Sequence, residues 1–371
     1  MTTSQTLLPL VLATIAATLT SLKSPSAVPS SPEASETSTV QIRSDLLTLL
    51  SLLSKQSTNY TLALKNPPEE KAAFQTLEKV KDGVEKLKFL EDLLRGRPGE
   101  LDKRLRWALS ESLESLSSFL SLSTSYLPPN PTSTSESNRK QLLSACKTFW
   151  NVVEKIEKDL PKNELEAVRK TWKDVAGLLE DCEAEIKELA EGGGDDKDNF
   201  EEDEEEEGGE EDVKEDKEEV EDLSETQKSI VLTSHTLLQL SRLLIVRLLA
   251  LTDSSSSTTL LSSTPKFESI PFLSNLTNLI KRISEKADDL AGALDEIEDV
   301  EDEPSIRKAI ETVGEEIVEI GEKVTEEVEE VLVSTEGEEV EQERIKKFGE
   351  WIKVWRTQRD QAREKLQGLL R

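Results

Sequence analysis

The sequence is poor in the residues that do chemistry: in 371 residues it holds one histidine, one methionine and two cysteines, and aromatic side chains make up 4% of it. A lone imidazole with no cysteine beside it and no serine elbow elsewhere leaves zinc sites without ligands and catalytic triads without members. That histidine, His235, lies in TSHTLLQLSRLL on a strongly apolar helical stretch and reads as a core or boundary residue. Cys146 and Cys182 sit within helical patterns, where they read as small apolar packing residues suited to a reducing compartment rather than as a disulfide. The phosphate-cradling patterns GxxxxGK[ST] and GxGxxG are absent, as is the spacing of a calcium-binding loop. Carboxylates are so abundant that a pair of them at any spacing has no meaning. The expectation is a protein with no catalytic residues, no cofactor site and no metal site.

Positive charge is also scarce. Lysine and arginine number 46 against 76 aspartates and glutamates, giving a formal net charge of −30. Such a balance disfavours direct binding to nucleic acid phosphates or anionic lipid and favours basic partners. Long unbroken apolar runs are missing too. The stretch Leu7–Leu22 (LLPLVLATIAATLTSL) follows MTTSQ, with no positively charged lead, and is interrupted by Thr and Pro. It reads as a helix laid on the N-terminal bundle rather than a secretory signal or membrane span.

What the sequence does have is charge density in one place and helical periodicity nearly everywhere else. Asp195–Asp222 carries 19 carboxylates against three lysines, net −16 and slightly over half of the whole charge. Repulsion and the near absence of apolar surface predict a disordered acidic linker there. The expected organisation is a helix and Ser/Pro-rich link over 1–39, a helical bundle over 40–191, the linker over 192–223 and a second bundle over 224–371. The expected fold class is therefore all-α, two antiparallel helical bundles.

The helices follow from apolar residues at steps of three and four. One stripe starts at Ile42 and stops at Pro67-Pro68; a second runs through Phe74, Leu77, Val80, Val84, Leu87 and Leu94 to Arg95-Gly96-Arg97-Pro98-Gly99; a third runs from Leu101 to Leu120. Leu142, Cys146, Phe149, Val153, Ile156 and Leu160 form the cleanest stripe, broken by Pro161. After it Leu165, Val168, Trp172, Val175, Leu179, Cys182, Ile186 and Leu189 form another. The short Pro161–Asn163 connection predicts an antiparallel hairpin, with Trp172 in the core near Phe149 or Val153. Beyond the linker, Ile230–Leu251 is apolar almost all round and reads as a central helix. Leu276–Ile297, Pro304–Val331 and Ile345–Leu369 complete the second bundle. The triplets Arg242-Leu243-Leu244 and Arg247-Leu248-Leu249 have the form of cyclin-docking motifs, but on so apolar a helix they read as buried structure. Arg139 and Lys140, and the cluster Arg344, Lys346 and Lys347, read as helix-end or solvated charges.

Taken in order, three segments resemble the cyclin-D-binding protein family, also described as cyclin-D-interacting helix–loop–helix proteins. They are STNYTLALKNPPEEKAAFQTLEKVKDGVEKLKFL from Ser57, LDKRLRWALSESLESLSSFL from Leu101, and the Lys147–Leu189 hairpin containing Trp150 and Trp172. An acidic segment then leads into ETQKSIVLTSHTLLQLSRLLI from Glu225, as in the family. The Ser/Thr-rich, Pro-punctuated loops give it the look of a fungal member. The resemblance implies an all-helical, non-enzymatic protein of cytoplasm and nucleus that binds cyclins or other helical, helix–loop–helix-type regulators and restrains cell-cycle progression. The competing reading is an acidic chaperone or scaffold that shields basic proteins such as histones through Asp195–Asp222. The sequence does not set the oligomeric state.

Overall fold

The computed structural model describes residues 3–24, 38–65, 69–126, 136–191, 223–252, 269–297, 300, 303–333 and 339–371. Among them there are ten α-helices and no strand: α1 (Ser4–Lys23), α2 (Thr39–Ala63), α3 (Glu70–Leu94), α4 (Glu100–Ser123), α5 (Glu136–Asp159), α6 (Glu164–Glu191), α7 (Glu225–Leu251), α8 (Ile270–Asp295), α9 (Pro304–Val333) and α10 (Glu339–Leu370). The fold is all-α, as the periodicity implied. The acidic run lies outside the described residues.

Local chemistry sets the helix ends. At the start of α2 the Ser38 hydroxyl accepts from the Gln41 amide, and at the start of α7 Ser224 and Gln227 form a reciprocal capping box. Helix α3 stops because Gly96 takes a left-handed conformation, φ 74°, that a side chain would resist. Pro271 and Pro304 stand in the first turns of α8 and α9, where the missing amide proton is not needed. Pro9 lies inside α1, whose helix continues past it.

The chain forms two compact units, Met1–Lys170 and Thr171–Arg371. In the first, α2 packs on α3 and α5, α4 packs on α5, and α1 lies across α3 and α4. Leucines fill its core, including Leu46, Leu50, Leu53, Leu77, Leu105, Leu109 and Leu113, each essentially without exposure. Fully burying each such side chain contributes about 1.5–3 kcal/mol. The rings of Tyr60 and Phe119 meet edge to face, with centroids 6.2 Å apart.

In the second unit α9 packs between α8 and α10, and α7 packs on α10. The core stripe of α9 is β-branched: Ile306, Ile310, Ile317, Val324, Val328 and Val331. Two glycines on α9, seven residues apart, admit side chains of α10. A Cβ at Gly321 would stand 3.0 Å from Trp355 Cη2, and one at Gly314 3.1 Å from Leu366 Cδ2. Trp355 thereby reaches across to donate its indole N–H to the Leu240 carbonyl of α7, 2.8 Å away.

The division between Lys170 and Thr171 falls inside α6, and this changes the reading of the Trp172 stripe. Trp172 is fully buried, as its spacing implied. Its indole N–H, however, bonds to Thr277 Oγ1 of α8 at 3.0 Å, and the core cluster that contains Phe149 and Val153 ends at Ala167. The hydrogen-bond partner of Trp172 therefore lies on α8. The rest of α6 follows the same pattern, with Cys182 Sγ donating to Asp288 Oδ1 and Glu183 engaging Arg242 at 2.8 Å. Apolar spacing marks which face of α6 is covered and leaves open which helix covers it.

Candidate interaction surfaces

Among the described residues no group of three or more His, Cys, Asp or Glu side chains is placed to hold a metal ion. His235 is half-buried on α7, the boundary position expected of it. Both cysteines are free and buried. Burial, reinforced by the hydrogen bond to Asp288, pushes the Cys182 thiol up to about 12, so it stays protonated and unreactive at neutral pH.

A polar cluster organises one end of the first unit. Arg43 of α2 donates to the carbonyls of Pro161 at 2.6 Å and Leu160 at 3.1 Å, closing the end of α5. One turn later the Glu164 carboxylate accepts from the amides of Glu100 at 2.6 Å and Leu101 at 3.0 Å, satisfying the first turn of α4. Thr39 donates to Asp102, and Arg97 donates to Thr39. Burial raises both acids above their ordinary values. The amides of Glu100 and Leu101 pull Glu164 back down, and Thr39, Arg97 and Arg106 do the same for Asp102. These groups satisfy one another, which makes the cluster a structural joint.

The outer surface is more informative. Trp150 of α5 is 41% exposed, yet its indole N–H is engaged by the Ser54 carbonyl at 3.2 Å and Ser57 Oγ at 3.3 Å on α2. An indole fixed at its polar edge with its ring half open to solvent has the form of an interface anchor, because it loses little rotamer freedom on binding. Leu143 stands two turns before it on the same helix, 57% exposed. Trp150 had a signal in the sequence: it falls one place off the stripe that Phe149 occupies, so it faces away from the core. Its hydrogen bonds to α2 had none.

The two Arg-Leu-Leu triplets are helical and divide between core and surface. Leu244 and Leu248 are buried, and Arg242 is held by Glu183 and Glu180. Leu243, read from sequence as buried, is 44% exposed, so α7 is not apolar on all sides against protein. Arg139, Lys140 and Lys346 are exposed and Lys347 pairs with Glu343, which fits solvated charges. The side chain of Arg344 lies outside the described residues. By length and composition α1 and α7 are each long and apolar enough to cross a membrane.

Residues 45–192 match the family described as Grap2 and cyclin-D-interacting, N-terminal. The matched segment, which includes α5 and Trp150, is similar to the cyclin-D-interacting protein family. No curated protein matches the chain.

Proposed function

We propose that this protein is a non-enzymatic regulator that binds cyclins or other helical regulators through its first helical unit and thereby modulates cell-cycle progression. The observation that carries the reading is the family match over residues 45–192. Within that span Trp150 is held at its polar edge and open on its ring. The reading carries an expectation of presence in cytoplasm and nucleus.

The test is a titration of the purified full chain with a purified D-type cyclin. Saturable binding is expected, weakened about 30-fold or more in Trp150→Ala, the size of a hot-spot loss of about 2 kcal/mol. Trp150→Phe, which keeps a ring but loses the donor to Ser54 and Ser57, should fall between. A chain that ignores the cyclin but binds histones with steep salt dependence would replace this reading with the acidic-chaperone one.

A further inference from the structure

The second unit lies almost wholly beyond the family-matched residues, and one of its faces departs from the character of the chain. From Leu232 to Ala250 the exposed positions of α7 carry a single charge, Arg247, although acidic residues outnumber basic ones 76 to 46 overall. Three of these positions are large and apolar: Leu232 is 50% exposed, and Leu243 and Val246 are each 44% exposed. From Leu232 to Val246 the face extends about 21 Å, roughly four helical turns, with Thr236 and Gln239 exposed between its apolar ends. Arg247 has no carboxylate partner among the described residues. Its guanidinium carbon instead stands 5.8 Å from the centre of the Trp351 ring, which stacks on Phe348. Trp355 of α10 meets Leu240 of α7, so the two helices run antiparallel and Val354, 56% exposed, extends the face along the seam. Glu350 borders it one turn before Val354 and is also exposed.

We propose that this α7–α10 face is a second docking surface, whose occupant is a partner protein's amphipathic helix carrying leucine-like side chains and a carboxylate. A face with apolar ends at Leu232 and at Leu243 and Val246 matches one side of a helix of about four turns, and the guanidinium of Arg247 asks for an anion. Charge argues against a second copy of this chain, since each copy carries −30 and a two-fold pairing centred on this face would leave each Arg247 without an anion from its mate's α7 face. The proposal does not depend on cyclin binding through Trp150.

The probe is a fluorescein-labelled synthetic helical peptide with leucines at helical spacing and glutamates on its flanks, titrated with the full chain. Two controls carry lysine in place of glutamate, or serine in place of leucine. The acidic leucine peptide should bind, with both controls weaker by about 10-fold or more. Arg247→Glu should reverse the preference toward the lysine peptide, Arg247→Gln should weaken binding without reversing it, and Val246→Asp should abolish it, with melting temperatures unchanged. Equal binding of acidic and basic peptides, no binding to the wild type, or an unaltered preference in Arg247→Glu overturns the proposal. Binding seen only after 195–222 is replaced by a Gly/Ser spacer also overturns it, by assigning the face to the chain's own acidic run. A dimer in sedimentation that Val246→Asp dissociates overturns it in favour of a second copy.

Discussion

The two units solve the same packing problem with different polar chemistry. In the first, a leucine core is closed at one end by side chains that cap backbone groups: Arg43 on the carbonyls of Leu160 and Pro161, and Glu164 on the amides of Glu100 and Leu101. In the second, ion pairs run along a helix seam. Glu315, Glu322 and Glu329 recur at seven-residue spacing on α9; Arg363 takes Glu315, Arg359 takes Glu322, and Arg356 takes both Glu322 and Glu329. Capping fixes where helices end, whereas a heptad ladder beside glycine notches fixes how far one helix slides along another. The first arrangement is sensitive to the loss of single acceptors, and the second to changes of size and charge along the seam.

The largest effect should come from Trp172→Ala. Removal of a fully buried indole together with its bond to Thr277 should cost about 3–5 kcal/mol, a large part of the roughly 5–15 kcal/mol available to a domain. Hydrogen exchange on the full chain should show the loss of protection concentrated in α8 and the rest of the second unit. Loss confined to α2–α5 would return Trp172 to the first core.

Gly321→Val comes next. The added methyls must displace the Trp355 ring and its bond to Leu240, for about 1–3 kcal/mol. Val at Gly177, where an added Cβ meets nothing within 4 Å, serves as the contrast and should cost little beyond helix propensity. Similar losses at both sites would remove the notch from the account.

The smallest effect separates the units by pH. Burial raises Glu322, but hydrogen bonds from Arg359 and Arg356 outweigh it and hold this carboxyl below the usual 4.5. Its contribution is therefore present above 4.5 and fades as pH falls through its folded value. Glu164 is shifted the other way, above 4.5, so the native state takes up a proton before the unfolded chain does and gains stability as pH falls through that window. Glu322→Gln should lower the melting temperature at neutral pH, and the deficit should shrink as pH falls. Glu164→Gln keeps one of the two acceptors used by the Glu100 and Leu101 amides and turns an NH2 donor toward the other, so it should also lower the melting temperature, but its deficit should not shrink as pH falls, because the wild-type carboxyl gains stability on protonation. Deficits that shrink alike under acid would erase this contrast between the units.

Apolar spacing in the sequence located the helices well, from Ile42 in α2 to Trp355 in α10, because a helix that buries one face must repeat near every 3.6 residues. Partner choice was not legible. Nothing at Trp172 distinguishes Phe149 from Thr277 as a neighbour, because periodicity describes a face and is silent about what covers it. The notches at Gly314 and Gly321 read only as weak helix positions until Leu366 and Trp355 are seen beside them. The exposure of Leu243 is hidden for a related reason: in a run as apolar as Ile230–Leu251 the stripe has no visible edge, and three-dimensional packing draws it. Of the candidate surfaces, Trp150 stands one place off its stripe, while its anchoring on Ser54 and the solitary charge of Arg247 on the exposed side of α7 are set by packing.

The position of α1 bears on the order of events during synthesis. Its buried residues Leu8, Val11 and Ile15 pack on α3 and α4, the second of which ends at Ser123. At translation rates of about 5–20 residues per second, this helix, whose one charged residue is the terminal Lys23, emerges roughly 5–20 s before the last of its partners exists. Throughout that interval it is an apolar segment without a home, and therefore a natural first client for a ribosome-associated chaperone. Slowing elongation between Lys23 and Ser123 should increase the fraction of nascent chains captured, and replacing Val11 by a polar residue should reduce it.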